Sequence, residues 1–547
     1  MRRALGIALL LTLPSAAFAQ HDHAPAAGAE AGVPLFDNLG SWHHAVTTKS
    51  PEAQRYFDQG LRLVYAFNHA EAERAFREAA RLDPACAMAW WGVAFALGPN
   101  YNLPIDPERN TKAVEAVAKA KAQAGHVSPK EQAYVEAIAV RYVADPPADR
   151  APLDQAFSRA MGDLSKRFPD DLDAATLYAE SMMDLRPWQL WKPDGTPAPG
   201  TDEILATLES VLKREPNHPG ANHYYIHATE ASPDPGRALA AAERLKTLVP
   251  GAGHLVHMPA HTYMRTGDYL GAVQANAVAA RADEAYFAKG GATQGVYAAM
   301  YYNHNVHFLA AAAAMAGQSS VAREAAVKVA EAAAPMVKDM PMVEFVIPTP
   351  IYVALRFQRW DEILVLPEPP AAFIATRALW RQARGIAKAA KRDLAGADEE
   401  RRAFAALRAT LPEDAMFNMT PSRQVLAVAA LVLDARLASA RGDGAGALDA
   451  WRSAILAEDL LPYDEPPIWP FPCREGLGGE LLRQGRAAEA AETFRQDLAR
   501  NPKNGRSLFG LWRSLEASKA TTDAAAAKRD FDEAWKSAEV VLRLEDL

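Results

Sequence analysis

Cysteine is nearly absent: the 547 residues contain two, Cys86 and Cys473, far apart in the chain. That excludes a disulfide framework and any metal site built from closely spaced thiolates. An excess of basic charge is missing too. The formal net charge is −8, so no nucleic acid partner is expected, because binding phosphate needs a basic face. No run beyond residue 20 approaches the 18 or more apolar residues that cross a bilayer, which predicts no membrane span. Alternating β-branched runs are scarce, which argues against a sheet protein. The sequence also has no Gly-rich phosphate loop, no G-x-S-x-G and no H-E-x-x-H.

Half of the residues are hydrophobic, enough for a large core. The N-terminus reads as a secretory signal over 1–19, with Arg2 and Arg3 ahead of apolar Ala4 to Leu13 and a small-residue cleavage site at Ala17-Phe18-Ala19. A secreted, periplasmic protein is the expectation. Residues 20–50 are rich in Ala, Gly and Pro and predict a flexible extension, in which His21 and His23 read as part of a polar tail. Ser50-Pro51 then marks a helix cap followed by a first-turn proline.

From there the pattern is helical and periodic. Gly60, Leu63, Ala72, Phe76, Ala79 and Pro84 form a series that returns near the other end as Gly478, Leu481, Ala490, Phe494 and Pro502. These spacings resemble the tetratricopeptide repeat (TPR), a helix-turn-helix unit of about 34 residues. The resemblance implies an all-α fold, an α-solenoid of TPR-like helix pairs running as one continuous array over 51–545, with a closing helix near Phe531 to Leu544. Three long Pro- and aromatic-rich insertions interrupt it, at 98–110, 186–200 and 461–474. Loops of this kind serve either as functional lids or as packing over a neighbouring unit.

Of the fourteen histidines, seven fall between His223 and His307. His223 and His227 are i,i+4, with Glu230 three residues on, so the three share one helical stripe. His257 and His261 repeat that pair one unit later, preceded by His254 and followed by Arg265. His304 and His307 are i,i+3. Upstream, Glu180 and Asp184 make an acidic i,i+4 pair. The TPR resemblance implies that these first-helix positions line the concave groove where such arrays bind ligands. Histidines there can converge on a transition metal ion, with zinc, copper and iron all compatible with mixed imidazole and carboxylate ligation. His223, His227, Glu230, His254, His257, His261, His304 and His307 are the expected ligands. Metal-dependent catalysis then depends on an open coordination position. The alternatives are a scaffold binding a protein or peptide in the groove, a polar groove for an anion, and purely structural hydrogen bonding. Pro259, between His257 and His261, predicts a break that leaves His254 and His257 on an entering loop. Tyr263, Tyr301, Tyr302 and Asn303 are nearby residues that could support the ligands.

Overall fold

Ser50 accepts a hydrogen bond from the Ala53 N–H and Pro51 occupies the first turn, so the helix Pro51–Tyr65 starts where its cap residues dictate. In the computed structural model, which describes residues 33–547, this helix packs against His69–Leu82. The same unit recurs along the chain to Gly505–Ala517 and Thr521–Ala534. The protein is an all-α solenoid of TPR-like helix pairs. Among the described residues the strands are limited to a two-residue pair, Met416–Phe417 with Thr420–Pro421. None of their helices is long and apolar enough to cross a membrane. The predicted signal 1–19, with His21 and His23, lies outside the described residues.

The repeat signature has a steric basis. Phe76 is fully buried, and a Cβ added to Gly60 or Gly92 would meet its ring at 2.6 and 2.4 Å. The far end repeats the device, with Phe494 wedged between Gly478 and Gly510 at 2.5 and 2.2 Å. Glycine is required at these positions because a packed ring fills the space that a side chain would take.

The array curls until its far end touches its middle. The Tyr269 hydroxyl donates to the Pro502 carbonyl (3.0 Å), Arg356 and Arg506 both grip Glu475 (2.6 and 2.9 Å), and the Glu539 N–H reaches the Gly317 carbonyl (3.0 Å). The N-terminal segment also packs on the body. Residues 33–50, expected to be flexible, are instead held by specific bonds: Trp42 Nε1 donates to Asp173 (2.9 Å), Thr47 O–H to Glu131 (2.5 Å), and the Phe36 N–H to Gln59 (2.8 Å). Composition misled here because these buried carboxylates and amides supply the partners that an isolated segment lacks. The closing helix, Thr521–Ala534, lies ten residues earlier than expected. It ends at Ala534, where Trp535 donates to the Val540 carbonyl and redirects the chain. Cys86 and Cys473 are both buried and free.

Candidate metal centre

Three successive first helices bring the histidines together. His223 and His227 lie on the helix Pro219–Glu230, capped by His218, whose Nδ1 accepts from the Ala221 N–H (3.2 Å). Pro259 divides the next unit into two helices, Gly253–His257 and Pro259–Thr266, joined through Met258, which keeps helical torsions. His254 and His257 are therefore helical rather than on a loop, and His261 still follows His257 at helical spacing. Only glycine fits at the start, because a Cβ on Gly253 would lie 2.1 Å from Asp283 Oδ1. His304 sits on Asn303–Met315, entered through a wide helical turn at Tyr297–Tyr302.

Two compact groups result. His223, His227 and His254 offer ligand nitrogens that all lie within 4.8 Å of one another, and His257, His261 and His304 do the same. His223 Nε2 is 3.1 Å from His254 Nε2, and His257 Nε2 is 2.7 Å from His261 Nε2. The outer nitrogens are held separately. His223 Nδ1 donates to the Tyr65 carbonyl (2.7 Å), and His257 Nδ1 to Asn276 Oδ1 (2.6 Å), an oxygen oriented because Asn276 Nδ2 donates to the Ala272 carbonyl (2.8 Å). Glu230 serves two more: His227 Nδ1 lies 3.1 Å from Oε1, and His261 Nδ1 lies 2.6 Å from Oε2 in a close contact without hydrogen-bond alignment. For His223, His227 and His257 these hydrogen bonds place the proton on Nδ1 and turn the Nε2 lone pair inward.

Electrostatics favour the ligand form. Burial pushes His223, His254, His257 and His304 well below the ordinary imidazole range, and neighbouring histidines push the same way. Burial also lowers His261, against the raising effect of Glu230. The two carboxyls separate. Burial raises Glu230, but His261 and His227 outweigh it and hold it below its usual value. Glu465 is pushed well up by burial and by the Glu230 charge. The cluster thus sets buried imidazoles beside two buried carboxyls that are shifted in opposite directions.

All three insertions reach this space. Tyr101 from the first and Trp188 from the second stack on each other at 5.3 Å and sit 5.5 and 5.9 Å from the His227 ring. Asn102 links them to Tyr301, accepting from Trp188 Nε1 (3.1 Å) and donating to the Tyr301 hydroxyl (3.2 Å). The third supplies Glu465, whose Oε2 is 3.4 Å from His261 Nδ1. Phe67, in the turn after the first helix, covers the remaining side, 4.6 Å from the His223 ring and stacked on His254 at 5.5 Å.

Seven of the eight expected ligands meet. His307 does not: its ring packs against Phe345 at 5.5 Å, and burial alone lowers it to about 4. Asn303–Met315 turns it away because i,i+3 neighbours diverge once His304 faces the cluster. Arg265 approaches without joining, donating to the Glu230 carbonyl (3.0 Å) and lying over the Tyr463 ring. Asp184 pairs with buried Arg141 (2.8 Å) instead of meeting an imidazole. Sequence reasoning missed Glu465, Asn276 and the Tyr65 carbonyl. Only Glu465 had a signal, an acidic pair within the otherwise apolar loop 461–474.

No family model matches the chain, and no curated protein matches it. Among solved structures it is similar to yeast Tom70 at 13% identity, over 87% of this chain and 96% of that one, with a TM-score of 0.30. It is similar to the Cut9–Hcn1 hetero-tetramer of APC/C at 12% identity, over 85% and 76%, with a TM-score of 0.31. A third similarity is to the human IFIT1 dimer with m7Gppp-AAAA at 11% identity, over 90% and 92%, with a TM-score of 0.29. At these scores nothing about the histidines follows from the likeness.

Proposed function

We propose that this chain is an exported metalloprotein, an α-solenoid whose central histidines bind a transition metal of the zinc, copper or iron kind. The observation that carries the reading is the pair His257 and His261. Asn276 holds the His257 proton on Nδ1, so the His257 Nε2 lone pair points at His261 Nε2, 2.7 Å away, while His261 Nδ1 lies 2.6 Å from Glu230 Oε2. With the His261 proton on Nε2 its Nδ1 lone pair faces the Glu230 carboxylate, and with the proton on Nδ1 the two Nε2 lone pairs face each other, so neither neutral tautomer satisfies both contacts. A metal ion bonded to nitrogens at about 2.0–2.1 Å resolves the conflict. Export belongs to the proposal and rests on the reading of residues 1–19.

The alternative, a scaffold binding a protein or peptide in its groove, calls for an open concave face. The aromatic cover over the histidines favours an ion-sized ligand at this place instead. Metal analysis of protein purified without a histidine tag tests the proposal. Bound transition metal, reduced in the double variant His257→Ala and His261→Ala, is expected. Metal-free protein whose stability ignores a chelator contradicts it.

A further inference from the structure

We infer that the centre holds two ions rather than one, each in its own three-histidine group, with Glu230 as the positioning carboxylate common to both. This rests on the metal reading above and extends it in number and assignment.

The grouping itself is the first argument. His223, His227 and His254 form one set of mutually close nitrogens and His257, His261 and His304 another, and the six do not merge into a single set within 4.8 Å. One ion bonded to all six at about 2.1 Å would require every nitrogen to lie within about 4.2 Å of every other. Each set also contains its own facing pair, His223 with His254 at 3.1 Å and His257 with His261 at 2.7 Å. Nitrogens about 3 Å apart are spaced as neighbouring ligands of one ion, so each pair defines a separate binding point.

Glu230 is the second argument. Its oxygens are divided between the sets, Oε1 toward His227 Nδ1 and Oε2 toward His261 Nδ1. A carboxylate behind a ligating imidazole fixes its tautomer and raises its basicity, and here one residue does so for both groups. In the first group the inward nitrogen left without a partner is His227 Nε2, buried beneath Tyr101 and Trp188. The two groups differ in exposure. His223, His227 and His254 are all buried, whereas His304 is partly exposed and is the second group's edge toward solvent. The second ion is accordingly the exchangeable one.

The test is a titration of the full chain, stripped of metal and without a tag, with Co(II) as the probe. Bound metal is counted per chain in the unmodified protein and in His254→Asn and His304→Asn. Two Co(II) per chain, falling to one in either variant, is the expected result. One Co(II) per chain, lost entirely in both variants, overturns the two-ion assignment and leaves a single metal site standing. No bound Co(II) in the unmodified protein overturns the metal reading itself. Stoichiometry in the unmodified chain decides between these outcomes even where a variant fails to fold, which circular dichroism detects.

Discussion

His257 and His261 present their Nε2 atoms to each other at 2.7 Å while Asn276 and Glu230 occupy the opposite side of each ring. A site organised this way is stabilised by whatever binds between the nitrogens. A ligand present at a hundredfold its Kd stabilises the folded state by about 2.7 kcal/mol. A chelator should therefore lower the melting temperature of the metal-loaded protein, and lower that of the His257→Ala, His261→Ala variant by less. Differential scanning calorimetry with and without chelator makes the comparison.

Glu230→Gln keeps the side chain's size and removes the charge that both outer nitrogens face. Loss of such a supporting carboxylate costs about 10–100-fold in metal affinity. The variant should bind metal more weakly at both groups, with unchanged stoichiometry at saturating metal. Competition against a coloured chelator measures it, and a loss confined to one group would contradict the shared role.

Phe67 sits in the left-handed region at φ 54°, in the turn between Pro51–Tyr65 and His69–Leu82, where glycine is the usual occupant. The ring is kept there at a backbone cost because it closes the cluster over His223 and His254. Phe67→Gly relieves strain of about 1 kcal/mol but loses aromatic burial of about 3–5 kcal/mol. A net loss of about 2–4 kcal/mol in urea unfolding is expected, together with faster metal release.

The solenoid was legible from the sequence because its constraints are local. Phe76 needs the space of Gly60 and Gly92, so the fold leaves its mark at regular spacing. The histidine register was legible for the same reason: a helix stripe and a repeat frame point His223, His227, His257 and His261 in one direction. His307 was misassigned because i,i+3 spacing keeps two residues near one face without making both converge on one point. Glu465 left only an acidic pair in an apolar loop as its trace, and Asn276 left none. One arrives from a loop more than 200 residues away, and the other sits on a second helix, whose inward face carries no metal signature. The packing of residues 33–50 was hidden for a similar reason, since Asp173 and Glu131, which hold it, belong to later units.

Gly92→Ala tests the repeat device apart from the site. The added methyl would lie 2.4 Å from the Phe76 ring, and overpacking of this kind costs about 1–3 kcal/mol. Gly510→Ala should cost a similar amount at the far end. Chemical denaturation reads both losses, and metal content per folded chain should not change.

Asp283 anchors the start of the histidine helix Gly253–His257. Its carboxyl is fully buried, accepts from the Tyr297 hydroxyl (2.7 Å) and Asn305 Nδ2 (2.8 Å), and is raised to about 7 by burial, which those donors only partly offset. The folded state thus holds a proton that the unfolded chain releases near the ordinary aspartate value of 3.8. Stability of the metal-free protein should fall as pH rises from about 4 to about 7 and level off above. Asp283→Asn should flatten that slope in urea titrations across the same window.

The most direct measurement of the central claim is X-ray absorption at the metal edge of untagged, metal-loaded protein. The account predicts a first shell dominated by nitrogen at about 2.0–2.1 Å with the outer-shell scattering of imidazole rings, lost in the His257→Ala, His261→Ala variant at the His257 group. A first shell of oxygen alone, as in a loosely held hydrated ion, or a spectrum indifferent to that variant, would contradict it.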